Sequence, residues 1–508
     1  MKFTNIFYIT IFNINTYLFL TENNNTIRFA FILSRTGSHS PSKLKNIDTK
    51  NAIYKDIFGY EWRGENELTN IGKRQQFYLG YQNSLKYKNI LYSEIYHPKE
   101  LLSISSECNK TIQSSYSQLH ALYQNTNITL TNNQIKNAIP PLNSDKGYND
   151  AKNELDKNKF ILPNNIQIVP VHTFYEKDHN YLLEKVQNCP KIKKYYEEGD
   201  IISKKKIEEI LNFKSENDKN YGEIILEILN EENIFNERYN IKNLSNNFTF
   251  FKLIAETFIC DYFNGVNFNK FTQKGIDIYK LLQMFEGYFG EISIGGGVNN
   301  KFDERANKTY ELSQKVNYDL LNSLLEWTKI RIENDIQKNF NVLLYESPKI
   351  VLYLSHHESI ESLYYFMKET FNIKNAKNSL YTNFSSFIGI ELYRKNNEKN
   401  EYTYKDFYIK FIYDNQQLGI DISYNEFYER IKERIISLIE LEEYCGFNEN
   451  LVALNSNSNS NQRLYGTILI CFFPILTSFS IILFIKKKEK IFHPLPEEIL
   501  NDNSNNIN

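Results

Sequence analysis

Apolar and polar positions follow two regimes along the chain. Thr26 to Leu33 (TIRFAFIL) is a nearly continuous apolar run, the pattern of a strand buried on both faces of a sheet. It stops abruptly in Ser34-Arg35-Thr36-Gly37-Ser38-His39-Ser40-Pro41. A second such run, Lys349 to Leu354, stops just as abruptly in Ser355-His356-His357-Glu358-Ser359. Ile166 to Val171 reads as a short strand, and Phe387 to Tyr393 and Phe407 to Tyr413 as two more, joined by a turn rich in Asn, Lys and Glu. Elsewhere the spacing is helical. Leu68-Thr69-Asn70-Ile71-Gly72 opens a helix with Thr69 as its N-cap and Ile71, Gln75, Tyr78 and Leu79 on one face. Ile112, Ser115, Leu119 and Leu122 repeat with the same period after Cys108. From about 178 to 339 the pattern is helical, clearest from Tyr310 to Ile336, where Leu312, Val316, Leu320, Leu324 and Trp327 form one stripe. Strands near both ends around a helical middle predict the α/β class. The expected arrangement is a mixed sheet flanked by helices, over about 26–175 and 340–450, interrupted by an inserted α-helical cap over about 176–339. No solenoid or propeller repeat is present.

Two further apolar segments bear on the compartment. Met1-Lys2 followed by the mostly apolar stretch Phe3 to Leu20 predicts a signal peptide over 1–22. Leu464 to Ile485 carries no charge, enough to cross about 30 Å of hydrocarbon as a helix. A polar linker, 455–463, precedes it, and Lys486, Lys487 and Lys488 follow, which places a tail of 486–508 in the cytosol. The expectation is a single-pass type I membrane protein whose mass lies in the lysosomal or endosomal lumen or at the cell surface. Asn24, Asn109, Asn127, Asn243, Asn247, Asn307 and Asn383 each begin N-x-S/T, and none lies beyond the membrane segment, so a glycoprotein is expected. Of 5 Cys, Cys471 falls in the membrane run, leaving Cys108, Cys189, Cys260 and Cys445 on the oxidising side with their pairing open.

Composition narrows the classes. The 508 residues carry 59 Lys+Arg against 61 Asp+Glu, a net charge of −2, which excludes a nucleic-acid partner held by bulk electrostatics. With 41% hydrophobic residues, including 37 Tyr and 36 Phe, the chain has the material for a large core and is not wholly disordered.

Candidate chemistry sits where the two buried strands end. In open α/β sheets, ligands bind beyond the carboxyl ends of strands. Arg35 to His39 offers a cation, a glycine turn and an imidazole; His356-His357-Glu358 offers imidazole and carboxylate. Arg and His side by side suit an anion, phosphate first. His357-Glu358-Ser359-Ile360-Glu361 lacks the second histidine of a zinc-protease motif, and no metal or other cofactor is implied. Gly295-Gly296-Gly297 is not followed by the Lys-Ser/Thr of a phosphate-binding P-loop and reads as a cap loop; Lys204-Lys205-Lys206 reads as a solvated helix face.

These motifs resemble the histidine acid phosphatases, the two-domain branch of the histidine phosphatase superfamily. Arg35-Thr36-Gly37-Ser38-His39-Ser40-Pro41 stands where that family has R-H-G-x-R-x-P. Leu68-Thr69-Asn70-Ile71-Gly72 matches its next helix, and Ile104-Ser105-Ser106-Glu107-Cys108-Asn109-Lys110-Thr111 loosely matches its R-S-T-D-x-x-R-T stretch. Val169-Pro170-Val171-His172-Thr173 resembles the segment leading into the cap, and Ser355 to Ser359 stands at the histidine-aspartate pair. The ordered matches run from about Ile27 to Cys445. The resemblance implies an α/β core with a helical cap, a phosphate or phosphomonoester ligand, acid phosphomonoester hydrolysis through a phosphohistidine, and a Cys189–Cys445 disulfide.

The same comparison puts the activity in doubt. The nucleophile position is Thr36, whose hydroxyl needs an adjacent base to attack. Of three phosphate-clamping arginines only Arg35 remains; His39 and Ile104 occupy the other two positions. His357 keeps the partner-histidine position, and Glu358 replaces the proton-donating aspartate. The expectation is a phosphatase-like protein that binds a phosphorylated ligand through Arg35, His39 and His357 but is inactive or strongly impaired. The alternative is a working acid phosphatase using a displaced histidine, His39 or His356, with Glu358 as proton donor.

Overall fold

The computed structural model describes residues 26–42, 53–91, 95–124, 129–138, 161–162, 166–173, 190–232, 241–292, 304–337, 348–374, 376, 380–395 and 401–445. The chain divides into two compact units, Met1–Leu441 and Glu442–Asn508; the second is described only over 442–445. The first unit is built on a seven-stranded sheet in the order β5-β4-β6-β1-β7-β8-β9. Its strands are β1 (Thr26–Arg35), β4 (Leu101–Ser105), β5 (His172–Thr173), β6 (Ile350–Ser355), β7 (Phe387–Arg394), β8 (Phe407–Tyr413) and β9 (Gln416–Ser423). Strands β5, β4, β6 and β1 are parallel neighbours, whereas β7, β8 and β9 continue the sheet antiparallel. A small hairpin, β2 (Ile53–Lys55) with β3 (Glu61–Arg63), stands apart.

The continuous apolar run of β1 has the cause the pattern implies. Ala30 and Ile32 face a cluster with Leu79, Leu119, Ile350, Leu352 and Leu354. On the opposite side of the pleat, Phe29 lies 6.2 Å from Trp327 and Phe31 5.3 Å from Tyr353, ring centre to ring centre. Both faces of the strand are therefore closed. The longer helices are α1 (Asn70–Tyr87), α2 (Asn109–Leu122), α3 (Pro190–Asn212), α4 (Tyr221–Glu231), α5 (Phe248–Phe263), α6 (Ile278–Ile292), α7 (Glu304–Val316), α8 (Tyr318–Gln337), α9 (His357–Phe371) and α10 (Tyr424–Lys432). Helices α3 to α8 all lie between β5 and β6 in the chain, and α3 to α6 share an apolar core of their own around Phe251, Phe258, Phe271 and Phe285.

The structure differs from the sequence pattern at four places. The stretch 166–171 is not a strand; only His172–Thr173 pairs, with Ile104 and Ser105, and Ile168 is 72% exposed. On α1 the expected face is wrong: Ile71 and Tyr78 are exposed, and the buried stripe is Gly72, Gln76, Leu79, Gly80, Asn83 and Tyr87. This helix packs by close backbone approach. A Cβ on Gly80 would stand 2.2 Å from the Gln118 carbonyl oxygen, so α1 and α2 meet through glycine rather than through apolar side chains. The long helix expected over 310–336 is broken at Asn317, whose amide donates to the Ser313 carbonyl at 2.7 Å and to Ser362 Oγ at 2.9 Å. Strands β4 and β9 complete the sheet without having been anticipated. Among the described residues no helix is long and apolar enough to cross a membrane. The candidate signal peptide, the glycine triplet and the 464–485 segment lie outside the described residues.

Candidate active site

Because β1, β6 and β4 are parallel neighbours, their carboxyl ends fall side by side. Arg35 is level with Ser355, and Ser105 with Leu354. Three polar segments converge there: 35–39 after β1, 106–110 after β4 and 356–358 after β6. The β1 segment is held against α1. Ser38 N–H donates to Gln75 Oε1 at 2.8 Å, and the Ser38 carbonyl accepts from Thr69 N at 3.1 Å and Thr69 Oγ1 at 2.9 Å. Thr69 also caps α1 by accepting from Gly72 N at 3.1 Å. Gly37 is required by this approach, since a Cβ there would lie 2.3 Å from the Gly72 carbonyl oxygen.

Arg35 is 8% exposed. Its guanidinium donates to the Thr382 carbonyl and lies over the Phe384 ring, 4.2 Å from the ring centre, with Tyr381 at 5.6 Å. Thr36 is 2% exposed, and its carbonyl accepts from Ser385 N at 3.0 Å. His39, 4% exposed, has both ring nitrogens occupied: Nδ1 donates to the Ser40 carbonyl at 2.9 Å, and Nε2 accepts from Lys110 Nζ at 3.4 Å. Burial, and then the Lys110 charge, push its pKa well below the ordinary histidine value, so the ring stays neutral in mild acid. Cys260 Sγ lies 3.9 Å from His39 Nδ1, and Asn264 donates to Ser38 Oγ at 2.8 Å, so α5 covers this loop.

On α9, His357 Nδ1 and Glu358 Oε2 are 3.2 Å apart. Burial lowers the His357 pKa to about 4, against the pull of Glu358. Burial alone would raise the Glu358 carboxyl, but His357 and His356 outweigh it and hold the group below the usual carboxylate range. That direction opposes a proton donor working at mildly acidic pH. One turn along α9, Glu361 is 1% exposed. Burial, then repulsion from Glu358, drives its pKa well up.

The structure thus brings together Arg35, Thr36 and His39 after β1 and His356, His357 and Glu358 after β6. Ile104 is a buried β-strand residue, 3% exposed, so no cation stands at the third expected clamp position. Two features escaped the sequence reading. Lys110, in the first turn of α2, carries its ammonium to His39 and supplies charge where an arginine is missing. Cys108, just before α2, lies beside His356. A chain with 59 Lys+Arg gives no reason to pick out one lysine, although Lys110 does occupy the final arginine position of the R-S-T-D-x-x-R-T stretch. Cys108 and Cys260 are free. Cys445 is disulfide-bonded, and Cys189 lies outside the described residues.

The sequence matches the Histidine phosphatase superfamily (branch 2) over residues 19–414. The chain belongs to that superfamily. Among solved structures it is similar to the phytase of Citrobacter braakii, with 11% identity, 83% of this chain and 99% of that one covered, and a TM-score of 0.46. It is also similar to the phytase of D. castellii, with 14% identity, coverage of 83% and 82%, and a TM-score of 0.43. A third is the multiple inositol polyphosphate phosphatase of Bifidobacterium longum in complex with inositol hexasulfate, with 10% identity, coverage of 78% and 88%, and a TM-score of 0.40. No curated protein matches the sequence.

Proposed function

We propose that this chain is a phosphomonoester-binding member of the superfamily that has lost turnover through a phosphohistidine. The observation that carries the reading is the pairing, at the end of β1, of a retained cationic cluster with a buried hydroxyl at the attack position. Arg35 and Lys110 bring positive charge to His39, whereas Thr36 is 2% exposed. Deleting a covalent nucleophile in another hydrolase costs on the order of 10⁶ in kcat. General acid catalysis contributes about 10²–10⁴ and cannot restore that, even if Glu358 were protonated. The contact between Lys110 Nζ and His39 Nε2, 3.4 Å, occupies the lone pair His39 would need as a displaced nucleophile and supports the binding reading over that alternative. The proposed setting is the lumen or outer surface of a membrane, with the chain anchored through 464–485.

Titration calorimetry of inorganic phosphate into the full chain at pH 5–6.5 tests the binding half of the reading. A charge-assisted hydrogen bond is worth about 1.5–3 kcal/mol, so Lys110→Ala is expected to weaken binding by about tenfold or more. Absence of binding to the wild-type chain, or binding by Lys110→Ala and Arg35→Ala as tight as that of the wild-type chain, would overturn it.

A further inference from the structure

Cys108 and His356 are a nucleophilic pair that the proposed function leaves unused. Cys108 Sγ lies 3.9 Å from His356 Nε2, 3.1 Å from Thr111 Oγ1 and 3.6 Å from Ser106 Oγ. The two partners come from different strand ends, Cys108 after β4 and His356 after β6, and the parallel pairing of those strands brings them together. Cys108 is also the residue just before α2, a helix of 14 residues, where the dipole favours a thiolate over a thiol. It is half-buried rather than sealed, and it is free. His356 precedes α9 without capping it through its side chain, so its ring is not committed to the helix. The surroundings supply charge of the same sense: Lys110 lies two residues along α2, and Arg35 belongs to the same cluster. Glu361, fully buried on the same side of α9 as His357, is within electrostatic reach of Arg35.

We propose that Cys108 and His356 form a reactive-thiol site that takes hydroperoxides. In the step, His356 holds the proton given up by the thiol. The thiolate sulfur attacks the distal peroxide oxygen and the O–O bond breaks. The transferred hydroxyl leaves Cys108 as a sulfenic acid, oxidised by two electrons, and the departing alkoxide or hydroxide takes the proton from the His356 imidazolium. Cys260 is an internal control. It is 1% exposed, and burial, then the neighbouring Glu256 and Asp261, hold its thiol well above the ordinary value.

Three side-chain hydrogen bonds, His356 first among them, outweigh the cost of burial and bring the Cys108 thiol down to about 6. The reduced full chain is therefore alkylated with iodoacetamide from pH 5 to 9, with the modified cysteine identified by mass spectrometry. The expected inflection for Cys108 lies near pH 6, with Cys260 unmodified. His356→Gln should move that inflection toward the ordinary thiol value of about 8.5. At pH 6.5 such a shift lowers the thiolate fraction about 75-fold and raises intrinsic nucleophilicity about 13-fold, a net slowing of about sixfold. Treatment with one equivalent of hydrogen peroxide, trapped with dimedone, should label Cys108 and not a Cys108→Ser chain. An inflection at pH 8–9, an unmoved profile in His356→Gln, or no dimedone adduct would each overturn the proposal. None of these readouts uses phosphate, so a failure of phosphate binding and a failure of this site are told apart.

Discussion

Asp261 gives the most quantitative test of how α5 is joined to the β2–β3 hairpin. It lies on α5 with no exposure, beside Asp56 and Trp62. Its neighbour Asp56 is 3% exposed but well supplied: Oδ1 accepts from Phe58 N at 2.8 Å and Tyr60 N at 3.1 Å, and Oδ2 accepts from Trp62 Nε1 at 2.7 Å. Burial raises both groups. Asp261 goes well above the ordinary value, with the Asp56 charge as the next cause, so it is the member that keeps its proton. In the unfolded chain it releases that proton near about 3.9. The folded state therefore binds the extra proton, and the stability it brings is full below pH 4 and is lost as pH rises through the raised value. The slope is about 1.4 kcal/mol per pH unit for one proton. For a domain of this size that is roughly 2 °C in Tm per unit. Asp261→Asn keeps the shape and cannot ionise. Thermal unfolding of the full chain from pH 4 to 7 should show Asp261→Asn gaining on wild type by roughly that amount per unit as pH rises. Asp56→Asn puts an amide against an N–H donor and should be destabilising at every pH. Parallel wild-type and Asp261→Asn curves would mean that Asp261 does not hold a proton in the folded chain.

Other outcomes follow from the same geometry. Thr36→His places a larger ring at a position 2% exposed, which costs about 1–3 kcal/mol in overpacking. With an isoleucine still at 104, it should not raise aryl phosphate hydrolysis above wild type. Gly80→Ala forces α1 away from the Gln118 carbonyl and should lower stability by about 1–3 kcal/mol, read as a fall in Tm. Glu391 is fully buried and receives Tyr87 OH at 2.6 Å, Tyr393 OH at 2.9 Å and the Lys86 ammonium at 2.5 Å. Glu391→Ala strands all three and should cost about 3–5 kcal/mol by denaturant unfolding.

What could be read from sequence was whatever burial writes directly into composition. Strands β1 and β6 are closed on both faces, so they appear as unbroken apolar runs, and the polar residues that end them mark the site. Strand β9 is an edge strand with most positions exposed, and QQLGIDIS carries no such run. The buried face of α1 is glycine and amide rather than apolar. Gln76 donates to the Arg35 carbonyl at 2.7 Å, a role that hydrophobic periodicity does not register. The Cys108–His356 pair spans 248 residues and exists only because β4 and β6 are neighbours. Lys110 reaches His39 through the same topology, across 71 residues.

On the proposed reading this site binds phosphomonoesters but does not turn them over through a phosphohistidine. The most direct measurement is hydrolysis of a chromogenic aryl phosphate by the full chain from pH 4 to 7, beside Arg35→Ala and His39→Ala. Wild-type hydrolysis should be no faster than that of either variant at any pH. Turnover that disappears in His39→Ala, with a phosphohistidine trapped on the wild-type chain, would contradict it.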